Sequence, residues 1–95
     1  MRGDPILYVR RGCHWCREAL AFFTTQGVSL EIRDVSRDYG HLKRLVEVSG
    51  QSSTPTFEYG DFIVSDFSVD EFLDEVHERP DIQARLGLTD DSQIA

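Results

Sequence analysis

Strand-like and helix-like periodicities alternate along this chain, separated by glycine, proline and small polar residues. Ile6-Leu7-Tyr8-Val9 is short, continuous and apolar, the pattern of a strand buried on both faces of a sheet. Apolar positions then recur at helical spacing. Ala19, Leu20, Phe23 and Val28 mark the inner face of a helix over roughly Cys16 to Gln26, and Gly27 supplies its stop. Ser29 to Val35 alternates, with Leu30, Ile32 and Asp34 on one face and Glu31 and Arg33 on the other, which predicts a second strand. A helical crossover joins the two strands, so they should pair in parallel.

A second helix is predicted over about Asp38 to Val48 from the spacing of Leu42, Leu45, Val46 and Val48, with Ser49-Gly50 closing it. Gln51-Ser52-Ser53-Thr54-Pro55 has turn composition, and the proline drives Thr54 out of the helical region. Thr56 to Tyr59 and Phe62 to Ser65 flank Gly60-Asp61 as a hairpin of two antiparallel strands. Ser68-Val69-Asp70-Glu71 matches a capping box. The stripe Val69, Phe72, Leu73 and Val76 behind it predicts a third helix from about Val69 to Glu78, ending before Pro80. Beyond it, Ile82, Leu86 and Leu88 predict a short docked helix, with disorder in the polar end from Thr89.

Ninety-five residues of 40% apolar character can bury one modest core and no more, so the expectation is one domain over residues 1–80 with a tail over 81–95. Met1 to Pro5 lacks the apolar core of a signal peptide, and no run approaches the ~20 apolar residues of a membrane span. A reducing cytoplasm is therefore the expected compartment. The formal net charge of -7 argues against nucleic acid and anionic membranes as partners.

The chemistry concentrates in Cys13-His14-Trp15-Cys16, which stands between the first strand and the first helix. A strand that delivers such a pair to the first turn of a helix sets both sulfurs on one face, the first at the positive end of the helix dipole. That placement lowers a thiol pKa from its free value of ~8.5 and leaves the second sulfur near enough to close a disulfide. As a structural staple the pair would be poor, since it closes only a tiny loop. A zinc site would need more ligands, and only His14, His41, His77 and carboxylates are available, so no metal site is expected.

The order β-α-β-α-β-β-α, with Cys13-His14-Trp15-Cys16 between the first strand and helix and Thr54-Pro55 just before the hairpin, resembles the glutaredoxin branch of the thioredoxin-like fold. The resemblance covers about Ile6 to Val76. It implies an α/β fold with a four-stranded mixed sheet flanked by helices, and a thiol–disulfide oxidoreductase. Cys13 is then the nucleophile and Cys16 the resolving thiol that displaces the product. Pro55 matches the family's cis-proline, which leaves the Thr54 backbone free to hydrogen-bond an extended peptide or glutathione. Arg10 matches the basic residue that often precedes the motif, and either it or its neighbour Arg11 would favour the thiolate or meet a carboxylate; Arg37 lies near the loop before the second helix, where the family often holds a basic or amide residue for the glycine carboxylate of glutathione. Trp15 stands where the family usually has tyrosine and would stack on substrate.

Two departures from the family pattern carry consequences. His14 replaces the usual proline, and it either stabilises the Cys13 thiolate as an imidazolium or points into solvent. Val64-Ser65-Asp66-Phe67-Ser68 replaces the usual Gly-Gly and acidic residue, so Ser65 and Asp66 are the residues left to contact the glutamyl end of glutathione; Asp66 otherwise extends the polar cap of the third helix. This stretch is closer to the glutaredoxin-like hydrogen donors of ribonucleotide reductase, which thioredoxin reductase recharges. The resemblance thus implies glutathione as reductant, thioredoxin reductase as its alternative, disulfide-bearing proteins as substrates, no tightly bound cofactor and a monomer. An iron–sulfur module held through Cys13 and glutathione is the reading from another class.

Overall fold

The computed structural model describes residues 3–88. Its elements are β1 (Ile6–Val9), α1 (His14–Thr25), β2 (Glu31–Asp34), α2 (Tyr39–Ser49), β3 (Thr56–Tyr59), β4 (Phe62–Ser65), α3 (Val69–His77) and α4 (Pro80–Leu86). The strands form one mixed sheet in the order β2-β1-β3-β4, with β1 and β2 parallel and the other pairs antiparallel. In β1, Leu7 lies between Ile32 and Phe57, and Tyr8 between Arg33 and Thr56. This is the central strand that the unbroken apolar run requires, because both of its faces meet other elements.

Side chains of β1 and β3 alternate between two cores. On one face Leu7 and Phe57 join residues of α1, α3 and α4. Phe23, Phe57 and Phe72 are fully buried there, and Phe23 and Phe57 stack with ring centroids 5.3 Å apart. On the other face Tyr8, Val35 and Leu45 pack with Leu42 and Val48 under α2. This second core also holds a charge. The buried Glu58 carboxylate accepts the Tyr8 hydroxyl at 2.6 Å and Arg44 Nη2, from α2, at 2.8 Å. A carboxylate out of water needs such partners, and Arg44 ties α2 to β3 in supplying one.

Several boundaries differ from the periodicity. α1 starts at His14 and not Cys16, because the Cys13 sulfur accepts the Cys16 N–H and so caps the helix from outside. Asp38 is likewise the cap of α2, its carboxylate accepting the His41 N–H, and is not its first residue. The second strand is shorter than its alternating pattern. Ile32 shares the face of Leu7 but stays 46% exposed, since β2 is an edge strand with a neighbour on one side only. Val46, assigned to the inner face of the second helix, is 45% exposed, and of α2 only Leu45 is fully covered.

The capping box of α3 forms in both directions between Ser68 and Glu71. α4 opens with Pro80 in its first turn, and Ile82, Leu86 and Leu88 are buried in the larger core, so the helix after residue 80 is docked as its pattern predicts. The polar end from Thr89 lies outside the described residues. Among those described, no helix is long and apolar enough to cross a membrane.

Burial, then the hydrogen bond and charge of Glu58, push the Tyr8 phenol up to about 12 against the pull of Arg33. The folded state therefore keeps a proton that the unfolded chain releases near pH ~10. Stability from this group is fully present below ~10 and is lost as pH rises toward about 12. Tyr8→Phe should flatten that alkaline loss in denaturant unfolding, and ultraviolet titration should show one of the three tyrosines ionising late. Ionisation of all three together would remove this account.

Candidate functional site

The C-terminal ends of β1 and β2 and the N-terminal end of β3 lie at the same end of the sheet, as the register of Tyr8 against both Arg33 and Thr56 dictates. The loop leaving β1 turns through Gly12 at φ 76, a left-handed conformation that costs glycine little, and presents Cys13 at the start of α1. Cys13 and Cys16 form a disulfide, with Cα atoms 5.2 Å apart. The two sulfurs are not equivalent. Cys16 is 2% exposed within the core, whereas Cys13 is half-buried and accepts the Cys16 N–H at 3.1 Å.

Opposite the pair stands the Thr54–Pro55 bond, which is cis. The Cys13 sulfur lies 3.6 Å from the Thr54 carbonyl oxygen, and the Thr54 hydroxyl donates to that sulfur at 3.6 Å. Among the described residues, the Thr54 N–H donates to no protein acceptor, so one backbone donor beside the sulfur is open. Arg10 reaches the same loop. Its Nη2 donates to the Ser52 carbonyl at 2.8 Å and its Nη1 to the Thr54 hydroxyl at 3.5 Å.

Trp15, half exposed, borders a groove of about 180 Å3 completed by Asp66, Phe67, Ser68 and Glu71. Ser65 is exposed and lines the adjoining, wider depression with Glu71, Asp74 and Glu75. His14 is exposed on the first turn of α1, its ring edge-on to Trp15 at 5.3 Å. Arg37 is drawn toward Asp34 at 3.8 Å and makes no hydrogen bond to the cysteine pair. Its turn is nevertheless joined to the cysteine loop, where the Arg11 N–H donates to Ser36 Oγ at 3.3 Å. Hydrogen bonds from the Ser36 hydroxyl and N–H, and secondarily the charges of Arg37 and Arg11, hold the Asp34 carboxyl below the usual carboxylate range.

The structure thus brings Arg10, Thr54 and Pro55 to Cys13, sets Trp15 and Asp66 across one groove, and leaves Arg37 one loop away. Ser52, Ser36, Phe67 and Glu71 are site residues that the sequence reading did not single out. Ser52 and Ser36 act through contacts across loops that no local pattern records. Glu71, half of the capping box, also walls the groove. No group of three or more histidine, cysteine or acidic side chains suited to a metal occurs among the described residues.

Asp66 explains how this turn forms without the family's glycines. It adopts φ 52, the left-handed region that aspartate tolerates better than most residues. A β-branched residue there should be penalised, and Asp66→Val is expected to lower unfolding free energy by about 1–2 kcal/mol. Asp66→Gly should stay within about 1 kcal/mol of the parent, as relief at positive φ offsets the freer unfolded chain. Equal losses in the two variants, measured by denaturant titration, would show that the side chain and not the backbone matters.

Among solved structures, the thioredoxin-like protein BC3987 superposes with a TM-score of 0.69 at 24% identity, covering 76% of this chain and 99% of that one. The glutaredoxin of Archaeoglobus fulgidus gives 0.66 at 19% identity over 77% of this chain and 85% of that one. The solution structure of a glutaredoxin from Brucella melitensis gives 0.63 at 25% identity over 90% and 89%. No curated protein matches the sequence. The glutaredoxin family model matches residues 6–64, a span that runs from β1 through the cysteine pair and the cis-proline into β4. The chain belongs to the glutaredoxin family and, with its Cys13–Cys16 disulfide, is a thiol–disulfide oxidoreductase.

Proposed function

We propose that this protein reduces protein disulfides and glutathione mixed disulfides by a dithiol mechanism, with Cys13 as nucleophile, Cys16 as resolving thiol and glutathione as reductant. The observation that carries the reading is the asymmetry of the pair. The accessible sulfur sits at a helix N-terminus beside an open backbone donor, and its partner is 2% exposed. The Cys13 thiolate attacks one substrate sulfur and breaks the substrate S–S bond; one half leaves as a thiolate and takes a proton. Cys16, deprotonated, then attacks the Cys13 sulfur, which releases the second half and closes the intramolecular disulfide. Two glutathione thiols return the two electrons and restore the dithiol.

The dipole of α1 favours the anionic sulfur, and an imidazolium at His14 adds positive charge on the same turn. An extended substrate hydrogen-bonds the Thr54 backbone against Pro55 and stacks on Trp15, while Ser65 and Asp66 receive its polar groups. Arg37, exposed beside the cysteine loop, meets a substrate carboxylate. One observation favours thioredoxin reductase as a second reading. Ser65 and Asp66 put side chains where the family's glycines let glutathione approach the backbone.

Cys13→Ser should abolish disulfide reduction, and Cys16→Ser should trap a mixed disulfide visible by mass. Full activity in the Cys13 variant would refute the mechanism. NADPH consumption should couple to this protein through glutathione and its reductase; coupling through thioredoxin reductase alone would replace glutathione with the flavoprotein.

A further inference from the structure

Ser53 has both of its main-chain groups engaged, in a loop where the N–H of the next residue is left open. The Ser53 N–H donates to Gln51 Oε1 at 2.6 Å, and the Ser53 carbonyl accepts the Thr56 hydroxyl at 2.9 Å. The Gln51 amide can face only one way. A backbone N–H only donates, so Oε1 must meet Ser53, and Nε2 is then turned to the hydroxyl oxygens of Ser49 at 2.7 Å and Thr56 at 3.2 Å. Ser49 is fixed in its turn by donating to the Leu45 carbonyl of α2 at 2.7 Å. One amide thus joins the end of α2, the loop and the first residue of β3.

The Thr56 hydroxyl is fully buried and has a single proton, so what reaches its oxygen decides where that proton goes. With the Gln51 amide donating to the oxygen, the proton goes to the Ser53 carbonyl. That carbonyl shares a planar peptide with the Thr54 N–H. The cis bond is the next one along, Thr54–Pro55, so in the trans Ser53–Thr54 unit the carbonyl and the N–H point in opposite directions. Holding the carbonyl against Thr56 therefore turns the N–H away from it, where no protein acceptor among the described residues meets it.

From this geometry we infer that Gln51 is a positioning residue: through the Thr56 hydroxyl it sets the plane of the Ser53–Thr54 peptide and so aims the open Thr54 N–H at a carbonyl of an extended substrate. The inference rests on the reading, given above, that substrate pairs with the Thr54 backbone. A peptide plane in a loop turns by small opposed changes of the two dihedral angles that flank it. Without a partner for the Ser53 carbonyl, the N–H would sample directions that miss the substrate, and binding would have to supply the order that Gln51 provides in advance. Sulfur exchange does not pass through this peptide, so the loss falls on substrates that bring a backbone with them.

The test uses the pre-reduced protein in single turnover without added thiol, with oxidation of the cysteine pair followed by the fluorescence of Trp15, the only tryptophan. Rates are compared for an extended peptide disulfide and for bis(2-hydroxyethyl) disulfide, which has no carbonyl for Thr54 to meet. Gln51→Leu and Thr56→Val should each lower the second-order rate constant for the peptide about three- to tenfold, the worth of one hydrogen bond, and leave the small disulfide within about twofold. Gln51→Glu should lose as much as Gln51→Leu although it keeps an oxygen for Ser53, because a carboxylate draws the Thr56 proton to itself and releases the Ser53 carbonyl. Equal losses on both substrates would make Gln51 a residue of the fold alone and overturn the inference, as would a Gln51→Glu variant that matches the parent. If Gln51→Leu does not fold, Thr56→Val and Gln51→Glu decide, and an unmoved peptide rate in either is equally fatal. A parent that reduces the small disulfide as fast as the peptide would count against pairing at Thr54 and take the inference with it. A parent that favours the peptide, with variants that favour it as much, counts against Gln51 alone.

Discussion

Everything at the redox end of the molecule depends on β1 being hydrogen-bonded on both sides and covered on both faces. Its parallel pairing with β2 and antiparallel pairing with β3 bring the last residues of β1 and β2 and the first of β3 to one end of the sheet. The chain leaving β1 therefore meets the chain entering β3, and Cys13 meets Thr54, 41 positions further along the sequence. Shift β3 by one residue and Phe57 would leave the aromatic core while Glu58 entered it. The register that satisfies the two cores is the register that assembles the site.

The two cores hold the sheet by different physics. On the α1 side the attraction is undirected burial, reinforced by stacked and edge-on phenylalanines, and it also encloses Cys16. On the α2 side it is directional, since the Glu58 carboxylate must keep both Tyr8 and Arg44. Directional contacts fix where α2 lies along the sheet, and α2 carries the loop ending at Ser52 and Thr54. Arg44 and Arg10 thus act on opposite ends of one segment. The first sets the helix and the second sets the loop that follows it.

Sequence periodicity reveals the element order, the hairpin and the capping box, because each of these is decided by neighbours a few positions away. It also exposes the cysteine pair and Thr54-Pro55, whose residue types have few other uses in that order. It does not reveal Ile32 and Val46 as exposed, since their coverage depends on which strand is at the edge and how far α2 reaches. Cys13 as a helix cap is hidden for another reason: sulfur is outside the usual set of capping residues, so the periodicity starts the helix at the second cysteine. Arg10 was identified by position but not by partner. A local pattern can place a cation near a thiol; only the fold shows that Ser52 and Thr54 already occupy it.

The capping role of Cys13 bears directly on its chemistry. A helix start has backbone N–H groups that need acceptors, and here the Cys13 sulfur is one of those acceptors. In the disulfide that sulfur is neutral and accepts weakly, whereas as a thiolate it accepts as an anion at the positive end of α1. Opening the disulfide therefore strengthens the cap. Stabilisation of the helix start and stabilisation of the reduced state are one interaction, and any contact that aims a further donor at the sulfur raises the tendency of the disulfide to accept electrons. Cys16 gains nothing comparable, since it sits within the first turn among apolar residues and is closed off from water. The same helix start that needs an acceptor thus sets the two sulfurs in different surroundings.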